Sequence, residues 1–135
     1  MSKKKIYLAT PVNGRKEKTL AEKMKAARKR IVEMQEQLKK FYPDATFRCS
    51  FDIIGLVLDQ PLTEAEIMGA CVRMVMESDM IVLDDGWECS QGCTVERFVA
   101  MQYGKQVYTM QRFRLKEKLD EQIEHWKQEK KPSLF

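Results

Sequence analysis

The sequence has one histidine, His125, and four irregularly spaced cysteines, Cys49, Cys71, Cys89 and Cys93. A structural zinc site needs four nitrogen or sulfur ligands brought together. Cys89 and Cys93 form a C-x3-C pair, but His125 falls in the last predicted helix and the other two cysteines in separate elements, so no metal and no cofactor are expected. Free thiols beside nine methionines suit a reducing compartment, and no disulfide is predicted. No apolar stretch reaches membrane-spanning length, and the basic start Met1 to Lys4 leads directly into a strand instead of a signal-peptide core, so the expected location is cytoplasmic, with no membrane partner. The basic residues alternate with glutamates rather than aromatics, which argues against nucleic acid; a net charge of +4 leaves a small anionic ligand compatible. There is neither an internal repeat nor a low-complexity linker. At 135 residues and 44% hydrophobic, the chain is read as one domain, 1–135, with a core large enough to fold alone.

Strand-like and helix-like segments alternate along the sequence. Lys5 to Ala9 reads as a strand, followed by a turn segment from Thr10 to Gly14. From about Lys16 to Phe41, Leu20, Met24, Ala27, Ile31, Met34, Leu38 and Phe41 recur at steps of four and three, which predicts one long amphipathic helix stopped before Pro43. Ala45 to Ile54 is predicted as a second strand, with a loop from Gly55 to Pro61. Thr63 and Glu66 have the spacing of a capping box, and the helix after them presents Ile67, Ala70, Cys71, Met74 and Val75. Met80 to Leu83 is a short apolar run of the kind buried on both faces, Gln106 to Met110 is a fourth strand, and Leu115, Leu119, Ile123 and Trp126 share one face of a last helix. Such alternation predicts an α/β fold: a three-layer parallel sheet of about four to five strands with helices on both faces.

The stretch from Ser78 to Met110 concentrates the polar candidates. A strand ends in Asp84, Asp85 and Gly86, a loop carries Trp87, Ser90 and Gly92, and a helix is predicted to start near Thr94 with Val95, Phe98 and Val99 on one face. Ligands of parallel sheets bind beyond the carboxyl ends of strands, beside free amides at the next helix N-terminus. Glu96 is predicted in the first turn, where the helix dipole would hold its carboxylate ionised, as suits a nucleophile or a ribose-binding group. The same dipole leaves a cysteine nucleophile at Cys89 or Cys93 open, without a nearby histidine as base. Trp87 reads equally as a base-stacking ring or a loop anchor. Asp52 and Asp59, near the exit of the second predicted strand, are further candidates for ligand contact.

The order Ser90, Gly92, Glu96, Ala100, Gly104 and Lys105, after a strand opened by Ser78 and Asp79, resembles the signature of the nucleoside 2-deoxyribosyltransferase superfamily. The pattern G-W-E-x-S-x-G-x-x-x-E is similar to that of a bacterial and phage group near its deoxynucleotide N-glycosidases. The amino end, IYLATP, matches the superfamily's IYLAGP except that Thr10 replaces glycine. This resemblance implies a Rossmann-like, flavodoxin-like sheet and action on the N-glycosidic bond of a nucleoside or nucleotide. Glu96 would be the nucleophile on the anomeric carbon, Ser90 and the amides around Gly92 would hold the 5' end as hydroxyl or phosphate, and Thr10 and Pro11 would line the nucleoside. Relatives carry an aspartate at the position of Cys71. The acid therefore falls to another carboxylate, such as Asp85, Asp52, Asp59 or Glu66, or the fold binds a nucleotide without catalysis. Relatives also complete the site from a neighbouring subunit, and the apolar stripes of the first and last helices predict a homo-oligomer, most simply a dimer.

Overall fold

The computed structural model describes residues 3–12, 15–54 and 62–130. Four parallel strands, β1 (Lys5–Ala9), β2 (Thr46–Arg48), β3 (Met80–Leu83) and β4 (Gln106–Thr109), form one sheet in the order β2-β1-β3-β4. They alternate with α1 (Leu20–Lys39), α2 (Phe51–Ile54), α3 (Glu64–Glu77), α4 (Gln91–Gln102) and α5 (Met110–Lys130). The predicted α/β sheet with helices on both faces is what the chain forms.

Side chains alternate across a strand, and this alternation divides the core in two. Ile6 and Leu8 of β1 and Met80 and Val82 of β3 pack with Ile31, Met34 and Leu38 of α1 and with Met110 and Phe113 of α5. On the other face, Tyr7, Ala9, Ile81 and Leu83 pack with Cys71, Met74 and Val75 of α3 and with Cys93 and Ala100 of α4. All four residues of β3 are buried, as a strand covered on both faces requires. The Thr63–Glu66 capping box closes in both directions, and α4 ends with Gly104 at φ 68° while the Lys105 N–H donates to the Ala100 carbonyl at 2.9 Å.

Four predicted segments differ from the structure, each for a local reason. The stretch Ala45 to Ile54 pairs only over Thr46–Arg48, because the Asp52 carboxylate accepts the Cys49 N–H at 2.9 Å and the chain turns into α2. The first helix starts at Leu20, not Lys16, with the Thr19 hydroxyl accepting the Glu22 N–H. The site helix starts at Gln91, not Thr94, because Ser90 caps it by accepting the Cys93 N–H at 3.2 Å. Its inward face is Cys93, Glu96 and Ala100, and Val95 and Phe98 are exposed. The last helix begins at Met110; Met110 and Phe113 are its anchors, and the stripe from Leu115 to Trp126 is exposed. Asp59 and the loop 55–61 lie outside the described residues.

Candidate functional site

From β1 the chain crosses to β2 on one side, whereas β3 leads to β4 on the other. The loops leaving β1 and β3 therefore part at the carboxyl end of the sheet, the position of the ligand crevice in open parallel sheets. Thr10 and Pro11 form one lip, and the segment Asp84 to Ser90 forms the other.

Asp84 ties the lips together. It is 2% exposed, and its N–H donates to the Ala9 carbonyl at 2.8 Å. One carboxylate oxygen accepts from Arg30 Nε and from the Asp85 N–H, both at 2.8 Å; the other accepts from the Thr10 hydroxyl at 2.8 Å. Arg15 adds a guanidinium 3.9 Å away while donating to Thr10 Oγ1 and to the Pro11 carbonyl. A buried carboxylate is tolerated only when paired and hydrogen-bonded, and here both conditions hold. Thr10, where a glycine was expected, thus spends its hydroxyl on this network. Gly86 turns the chain at φ 83°, a conformation that favours glycine, and an added Cβ there would meet Pro11 Cγ at 3.6 Å.

Behind the network lies the second buried carboxylate. Glu96 is 5% exposed and accepts a hydrogen bond from the Tyr7 hydroxyl. With α4 starting at Gln91, Glu96 stands in the second turn, beyond the reach of the free amides, and the dipole expectation is overturned. Burial dominates and pushes its pKa up to about 7, opposed by the Tyr7 hydrogen bond. Tyr7 is held well above its ordinary range by burial and by the adjacent Glu96 charge. Cys71 hydrogen-bonds to Tyr7, and burial raises its thiol to about 11; Cys93, one turn before Glu96, is pushed up to about 12. Neither is a thiolate at neutral pH, which removes Cys93 as a nucleophile.

The structure brings some predicted site residues together and disperses others. Thr10 and Pro11 follow β1, and Ser90, Gly92 and Glu96 follow β3, so all five lie on segments that leave the same end of two neighbouring strands. Ser90 uses its side chain as the α4 cap, and Gly92 lies against Met68, where a Cβ would meet the Cε at an ordinary 3.5 Å. Trp87 sits in a 3-10 turn with Arg97 5.0 Å over its ring and packs on the apolar face of the Glu96 side. Asp85 is exposed and bound to Arg114 at 2.8 Å; Asp52 is exposed and engaged with Cys49; Glu66 is taken up by the capping box. Among the described residues no group of His, Cys, Asp and Glu is placed to hold a metal ion, and no helix is long and apolar enough to cross a membrane.

Tyr7, Asp84, Arg15 and Arg30 were not singled out from the sequence. The two-residue period of β1 carried a signal for Tyr7: it shares its face with Ala9, opposite Ile6 and Leu8, and is the one polar-tipped side chain in that set.

Comparison with known proteins agrees with this architecture. A 2-desoxiribosyltransferase from Leishmania mexicana has the same fold, with a TM-score of 0.54 and 18% sequence identity over 78% of this chain. The match spans 63% of that protein's length. No curated protein matches in sequence. Residues 4–109, from the approach to β1 through the end of β4, match the family described as "Domain of unknown function (DUF4406)", and the chain belongs to that family.

Proposed function

We propose that this protein acts on the N-glycosidic bond of a nucleoside or nucleotide, with Glu96 as nucleophile, by hydrolysis or by transfer to a second base. The observation that carries this reading is Glu96 itself: a buried carboxylate, hydrogen-bonded by Tyr7, at a topological switch point, with a pKa near 7. Groups tuned towards neutrality by burial cluster at reactive sites. Above pH 7 the carboxylate is ionised, the form that stabilises an oxocarbenium-like transition state. The carboxylate forms a bond to the anomeric carbon as the carbon–nitrogen bond breaks and the base departs with its electron pair, taking up a proton. Water or another base then displaces Glu96. The fold likeness to a deoxyribosyltransferase supports the substrate class.

A non-catalytic nucleotide-binding role is favoured by one observation. The residue beside Tyr7 and Glu96 is the thiol of Cys71, and the other buried carboxylate, Asp84, has both oxygens engaged. The test separates the two readings. Base release from a panel of nucleosides and their 5'-monophosphates should rise as pH passes through about 7 and vanish in Glu96→Gln, with thermal-shift binding retained. Equal release by both proteins would remove Glu96 from the mechanism, and binding without release in the native protein would establish the second reading.

A further inference from the structure

α5 lies outside the family match, which ends at residue 109, and most of it extends beyond the core it is anchored to. Met110 and Phe113 are buried, and Glu117 is held by Lys40 at 2.8 Å and by Gln37 of α1. Leu115, Leu119 and Ile123 are 59%, 54% and 41% exposed. At 100° per residue these three cover an arc of about 80°, and Glu117 points about 160° from its centre, so the stripe faces away from α1. Charge is segregated along the same helix. Residues 111–118 carry Arg112, Arg114, Lys116 and Lys118 against Glu117, a net +3; residues 119–126 carry Asp120, Glu121 and Glu124, a net −3 with His125 neutral.

We propose that α5 is a self-association surface on which two copies of this chain pair antiparallel, centred near Leu119. An antiparallel copy places the basic half of each helix against the acidic half of the other, whereas a parallel copy opposes like charges. Leu115 then lies against Ile123 of the second copy. Lys116 and Asp120 share one flank of the stripe and are both exposed, so each Lys116 falls beside the second copy's Asp120. The helix is about 30 Å long, and a single helix pair reaches only the lower end of interface areas, about 1,200 Å².

Sedimentation velocity on the full chain, from low to high micromolar, tests this. The native protein should move from the 15.9 kDa monomer towards twice that mass. Leu119→Lys should weaken the dimer about tenfold or more, with an unchanged circular dichroism spectrum. Asp120→Lys should weaken it by a similar factor, and Lys116→Asp combined with Asp120→Lys should restore it. These two positions are exposed, so the charge pair carries the test even where the leucine variant folds poorly. A monomer at every concentration overturns the proposal, as does a dimer indifferent to Leu119→Lys. Charge variants without loss and rescue overturn the antiparallel pairing.

Discussion

Replacing Glu96 by glutamine should stabilise the protein at alkaline pH and leave it unchanged in acid. A folded-state pKa raised from 4.5 to about 7 means that the native state binds this proton more tightly than the unfolded chain does. Between those values the folded protein carries the extra proton, so stability falls as pH rises through the window, and the whole cost is present by pH 8. One pKa unit corresponds to about 1.4 kcal/mol, which makes that cost about 3 kcal/mol. Glutamine keeps an acceptor for the Tyr7 hydroxyl and never ionises, so Glu96→Gln removes the pH-dependent part. At pH 4 and below, under the unfolded-state pKa, the two proteins should unfold at nearly the same urea concentration. At pH 8 the variant should be more stable by about 3 kcal/mol, or roughly 10 °C in Tm for a domain of this size. Urea titrations of both proteins at unit steps from pH 4 to 8 measure the difference directly. Parallel stability curves across that range would show that Glu96 is not desolvated as its burial indicates, and the argument for a tuned nucleophile would fall with them.

Arg30→Leu should destabilise the fold by about 2 kcal/mol in urea denaturation, less than the ~3–5 kcal/mol typical of a broken buried pair, because Arg30 is partly exposed and Thr10 and Arg15 remain on Asp84; a change within experimental error would mean that the lips of the crevice do not depend on this pair. Cys71→Asp should lower stability at pH 8 by about 3 kcal/mol, since the new carboxylate would lie in an apolar cluster beside Tyr7 and Glu96. Thermal melting checks this, and a variant as stable as the native protein would show that water reaches this position from the crevice.

The α/β architecture was legible in the sequence because periodicity and punctuation are local. Short apolar or alternating runs gave β1, β3 and β4, the three-and-four spacing of α1 gave its inward stripe, and Thr63 with Glu66 announced α3. Helix starts were less legible where a side chain chose between competing backbone partners. Ser90 capping Cys93 advanced α4 by three residues, and packing on the sheet turned Glu96 and Cys93 inward and left Val95 and Phe98 outward. Polar residues crowding after an apolar strand marked the loop from Asp84 to Gly92 and the helix that carries Glu96, and the resemblance added Thr10 and Pro11 to the candidates. What surrounds Glu96 came from elements 89 residues apart in sequence: Tyr7 on β1 meets Glu96 on α4 only because β1 and β3 are neighbours in the sheet. The same adjacency chose Asp84 over Asp85, since alternation at the end of β3 sends the first under Arg30 and Thr10 and the second out to Arg114. Residue types and their spacing are local properties of the chain. The sign of the Glu96 shift depends on burial, a property of distant segments packed together, and tertiary structure alone decides it.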